Sequence, residues 1–92
     1  MNEFDKVWQD LEEFLKEKKN SSPCETIELI RLWIDTCLKL TRTSETFSFI
    51  YLQYSEIFGV QQFVTKFGCH LVYQYSSYPE DTGAYYSIRK NK

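Results

Sequence analysis

One histidine, three cysteines and the turn pair Glu80-Asp81 are the first candidates in this 92-residue chain for covalent, metal or proton chemistry. Cys69 and His70 are neighbours, the types from which a thiolate–imidazole nucleophile is made. Consecutive side chains of a strand point to opposite faces, so these two are not placed to act together. Cys24, Cys37, Cys69 and His70 supply zinc donors in number, but no C-x-x-C pair nucleates a site. Cys24 and Cys37 fall on one predicted helix, about 20 Å apart, too far to bridge. We therefore expect reduced, mostly buried thiols. Glu80-Asp81 sits in a turn and reads as a solvated pair, with no second carboxylate pair spaced for acid–base work. The three glycines form no phosphate-cradling loop. The expectation is a non-enzymatic protein with no cofactor and no metal.

Recognition chemistry is better represented. "LVYQYSSYPEDTGAYYSIRKNK" holds five of the seven tyrosines, Tyr73, Tyr75, Tyr78, Tyr85 and Tyr86. Tyrosine offers a large, stiff contact area with a hydroxyl that tolerates water, and is enriched at interfaces. With period two, Leu71, Tyr73 and Tyr75 share one strand face, and Tyr86 shares a face with Ile88. These five tyrosines form the candidate protein-binding surface. The bland alternative is that they cap a small core.

A second constellation belongs to nucleic-acid binding. "YLQYSEIFGVQQFVTKFG" places Ser55 and then Phe58-Gly59-Val60 in a pattern that resembles a helix-turn-helix. That resemblance implies a recognition helix lined by Gln61, Gln62, Thr65 and Lys66, a hairpin acting as a wing, and phosphate contacts from Arg89 and Lys90. Lys66 is the sole cation between Arg42 and Arg89, and few cations mean little phosphate-driven affinity. Separately, "PEDTGAYYSIR" is similar to the strand signature of immunoglobulin variable domains at Asp81, Gly83 and Tyr85. Ser87 stands where that family has its disulfide cysteine, and the helical first half opposes the fold.

The elements that must position these residues divide near residue 46. Residues 1–46 are acidic, whereas residues 47–92 carry twelve of the sixteen aromatic rings. Phe4, Val7, Trp8, Leu11, Phe14 and Leu15 make the apolar stripe of a first helix. "NSSP" breaks it, and Ser22-Pro23-Cys24-Glu25 reads as a capping box opening a second helix, about Pro23 to Thr41. This helix is apolar almost all round, which predicts a central strut packed on most sides. Thr43-Ser44 opens a third segment, read as helix to a C-terminal Gly59, although "TFSFIYLQY" is rich in strand formers. Residues 60–68 suit either a short helix or an edge strand. "HLVYQYSS" and "AYYSIRK" alternate as strands about the turn "YPEDTG".

The fold expected is α+β, one domain over 1–92: an N-terminal bundle of three or four helices followed by a C-terminal β-hairpin. Net charge is −2, which attracts neither nucleic acid nor an anionic membrane overall. The start "MNEFDKVWQD" is acidic and amphipathic, unlike a secretory signal, and we expect a soluble, cytoplasmic protein with no membrane partner. The function expected is a protein-binding module. It would be a small accessory or inhibitory protein of the kind a phage or virus encodes, acting through the tyrosine-rich hairpin on another protein or on a second copy of itself. The alternative is a winged helix-turn-helix DNA-binding regulator.

Overall fold

Trp8, Leu11 and Leu15 recur at three- and four-residue spacing and are buried, so Glu3–Glu17 folds as helix α1 with that stripe inward. Asn20 organises the turn that follows: its Oδ1 accepts from the Ser22 backbone N–H at 2.8 Å. Helix α2, Pro23–Lys39, then starts with Pro23 in its first turn, where a missing N–H costs nothing. The computed structural model describes residues 3–39 and 48–92. The predicted last turn of α2 and the predicted start at Thr43-Ser44 lie outside the described residues.

Strand β1 (Ile50–Gln53) leads directly into helix α3 (Tyr54–Thr65), which is followed by strands β2 (Cys69–Ser76) and β3 (Gly83–Lys90). The sheet order is β1-β3-β2, with β3 antiparallel to both neighbours. β1 and β2 therefore run parallel, with α3 joining them and β3 inserted between them. Leu11, Leu15, Ile30, Ile34, Ile50, Leu52, Val60, Val64, Cys69 and Ile88 bring all the elements into one buried cluster. Trp8 closes it against Phe63, ring centroids 4.9 Å apart and edge-on.

The structure corrects several expectations. The fold is a three-helix, three-strand α+β domain, not a helical bundle trailed by a simple hairpin. The predicted third helix is half strand: Ile50–Gln53 alternates buried and half-buried positions and pairs with β3. Its β-branched and aromatic residues suit that pairing, but the partner is some thirty residues away, beyond the reach of local pattern. Gly59 does not end a helix or form a turn, because α3 runs unbroken through it to Thr65. A Cβ there would stand 2.3 Å from Phe14 Cζ, so glycine serves the close approach of α3 to α1. The turn that the helix-turn-helix resemblance places at Gly59 is therefore helix, and the 60–68 stretch resolves as helix to Thr65 and then a turn with Gly68 at φ 73°. Finally, α2 is not packed on most sides: Leu32 and Leu38 are exposed, and the central strut of the domain is β3.

Candidate functional site

The register of the sheet decides which rings meet. Ile50 and Tyr86 are directly opposed, as are Tyr51 and Tyr85, so adjacent residues alternate between faces on both strands. On the other side of β3, Tyr73 opposes Tyr86 and Tyr75 opposes Tyr85. Two steps along β2 match one step along β3, which makes Gln74 a β-bulge. The bulge turns Tyr73 and Tyr75 to opposite faces, correcting the expectation from strict alternation that they share one.

On one face Tyr51, Tyr85 and Tyr75 form a continuous row, one ring from each strand. Tyr75 stacks on Tyr85 at 4.6 Å with planes 21° apart, and Tyr85 meets Tyr51 at 5.3 Å. Phe49 reaches Tyr75 edge-on at 6.1 Å. On this face the central strand also holds Ser87, small and buried, which accepts from Gln74 Nε2 at 2.8 Å and so pins the bulge. On the opposite face Tyr73 and Tyr86 meet edge-on at 6.0 Å. Burial pushes the Tyr86 phenol up from its ordinary range.

The row becomes a groove because the β2–β3 connection rises beside it. Ser77 holds that loop closed: its Oγ accepts from the backbone N–H groups of Thr82 and Gly83 at 3.2 and 3.1 Å. Two tyrosines brace the loop from outside. Tyr51 OH bonds Thr82 Oγ1, and Tyr54 OH donates to Asp81 Oδ1 at 2.5 Å. The carboxylate of Asp81 holds the Tyr54 proton and pushes that phenol up to about 12. Asp81 itself has φ 49°, and the Tyr78-Pro79 peptide is cis. Tyr51, Tyr75, Ser76, Tyr78, Glu80 and Tyr85 line an open groove of about 530 Å³. Tyr78 is 86% exposed, the most displayed large hydrophobic side chain among the described residues.

The five predicted tyrosines thus divide. Tyr75, Tyr78 and Tyr85 come together at the groove, while Tyr73 and Tyr86 lie on the other face. Sequence reasoning missed Tyr51, whose signal was the alternation in "SFIYLQY" read as helix. It also set Glu80 aside as a solvated loop residue.

The nucleic-acid candidates are dispersed. Gln61 Oε1 accepts from the Leu71 N–H at 2.8 Å, and Thr65 Oγ1 donates to the Gln61 carbonyl at 2.8 Å. Gln62 and Lys66 line a separate hollow of about 410 Å³ between α1 and α3, beside Lys18 and the exposed Phe58. Arg89 lies over the Trp33 ring at 6.0 Å, and Lys90 is exposed opposite Cys69.

The thiols differ in setting. Cys24 is exposed, contrary to the expectation of a mostly buried set, and sits 3.8 Å from Glu12 Oε1. Cys37 donates to the Ile88 carbonyl at 3.4 Å and Cys69 to the Phe67 carbonyl at 3.6 Å. Burial pushes both of these thiols up, away from the thiolate form that reacts or binds metal. His70 Nδ1 bonds Asn91 Oδ1 at 2.7 Å. Among the described residues no three His, Cys, Asp or Glu side chains cluster as metal ligands, and no helix is long and apolar enough to cross a membrane. Comparison with protein-family models, with curated protein sequences and with solved structures returned no match to this chain.

Proposed function

We propose that this chain is a protein-binding module whose site is the tyrosine groove, occupied by an extended segment of a partner chain. The observation that supports this reading is the row Tyr51–Tyr85–Tyr75 beside the displayed Tyr78, walled by a loop fixed at Ser77, Thr82 and Asp81. Rings already stacked, on a loop already closed, lose little freedom when a ligand lands, so more of the contact energy appears as affinity. Aromatic floors with polar rims are also the usual make-up of interface hot regions. Such binding suits a small accessory or inhibitory role.

The reading is tested by selecting a displayed random-peptide library against the full chain. Enriched peptides should lose binding to Tyr75→Ala and Tyr78→Ala, but not to Phe58→Ala in the separate hollow. No enrichment, or enrichment indifferent to the groove variants, would sink the reading.

A second reading, nucleic-acid binding, is favoured by one observation. Gln62 and Lys66 are exposed one turn apart on α3, with Lys18 and Phe58 in the same hollow. It would show as duplex DNA affinity that falls steeply as salt rises. No affinity at low salt would end it.

A further inference from the structure

We infer that the groove takes an arginine-bearing segment of the partner. This rests on the docking reading above and narrows it to one chemistry, through charge complementarity and the aromatic lining.

Tyrosine faces carry the negative side of the ring quadrupole, and Tyr51, Tyr75, Tyr78 and Tyr85 line one hollow. Glu80 stands exposed on its rim. A second hollow, of about 220 Å³, abuts the groove through the shared Tyr51 and adds Glu25, Phe49 and Gln53. Among the described residues, none of the side chains lining either hollow is a lysine or an arginine. The two hollows thus combine an aromatic lining with one carboxylate each, Glu80 in the groove and Glu25 beside it.

The chain's own cations seek rings elsewhere. Arg31 lies over Trp8 at 4.7 Å, Lys18 over Phe14 at 5.7 Å, and Arg89 over Trp33. Among the described residues no such contact uses a groove tyrosine. Tyr78, 86% exposed, is open to a cation from outside, and an acidic segment would have to lie against Glu25 and Glu80. Arginine fits better than lysine for a geometric reason. Its planar guanidinium stacks on a ring while still offering a forked pair of donors to a carboxylate at the ring's edge. Its methylene stem covers the ring left bare by the head group.

The experiment starts from the groove-dependent peptides of the library selection and sequences them. Arginine should recur at one fixed position. A synthetic copy with citrulline there, the same shape without charge, should bind about tenfold more weakly by fluorescence anisotropy. Glu80→Gln should weaken the arginine peptide and leave the citrulline peptide unchanged. Groove-dependent peptides without arginine enrichment, or a citrulline copy of equal affinity, would overturn the inference while leaving the docking reading standing. A selection that yields no groove-dependent peptide would remove the docking reading and this inference with it.

Discussion

Asn20 Nδ2 donates to Oε2 of the fully buried Glu56 at 2.8 Å, joining the α1–α2 turn to the start of α3. The other carboxylate oxygen accepts from the Gln53 backbone N–H at 2.7 Å, capping α3 where β1 hands over to it. One buried acid thus ties three elements, and Asn20 spends its remaining oxygen on Ser22. Burial of such a group is tolerated only because each oxygen has a donor.

Glu56→Gln should lower unfolding free energy by about 2 kcal/mol, because whichever way its amide is turned its NH2 meets a donor, either Asn20 Nδ2 or the Gln53 N–H. Asn20→Ala should cost a similar amount. Urea unfolding of both singles and the double should show strong coupling, with the double well short of the sum.

The two close-packed glycines should respond very differently to alanine. A Cβ on Gly83 would stand 2.2 Å from the Leu52 carbonyl oxygen, a backbone atom that cannot step aside without opening the β1–β3 pairing. Gly83→Ala should cost about 3 kcal/mol or more. At Gly59 the obstacle is the Phe14 ring, which can rotate, and the helix gains about 1 kcal/mol from losing glycine. Thermal melts should rank Gly83→Ala as far the more damaging.

Tyr54 should be among the last phenols to ionise in an ultraviolet titration. Its folded pKa, about 12, stands above the ordinary 10.0, so the folded chain holds that proton more tightly than the unfolded one. The associated stability is present below pH 10 and is lost as pH rises from 10 towards 12. Asp81→Asn should return the phenol towards its ordinary range and flatten that window.

Native protein should react with a thiol reagent in an ordered way. Cys24 should react quickly, Cys37 and Cys69 slowly, and all three at once in denaturant. Equal rates for the three in the native state would contradict the described packing.

Groove tyrosines should separate by structural cost. Tyr78→Ala should leave the melting temperature unchanged, since the ring is in solvent. Tyr85→Ala, which removes the middle of a stacked row, should lower stability by about 2 kcal/mol.

What the chain discloses locally was readable: the stripe of Trp8, Leu11 and Leu15, Pro23 in the first turn of α2, and the two strands about "YPEDTG" all stand where spacing and turn chemistry place them. What depends on a distant partner was not. β1 reads as helix until β3 is beside it, and Gly59 reads as a stop until the Phe14 ring is known to lie over it. The site was half legible for the same reason. Tyr75, Tyr78 and Tyr85 are conspicuous, but one bulged residue, Gln74, decides that Tyr73 leaves their company, and only long-range pairing brings in Tyr51.

The central position of the last strand has a consequence for assembly. Until Gly83–Lys90 is available, β1 and β2 have nothing to bridge them, and two short apolar edges stay open. The helical layer can nucleate early from near-neighbour contacts, whereas the sheet must wait for closure across some thirty residues. A nascent or clipped chain lacking β3 would be sticky rather than merely weakened, and prone to pair with its own copies.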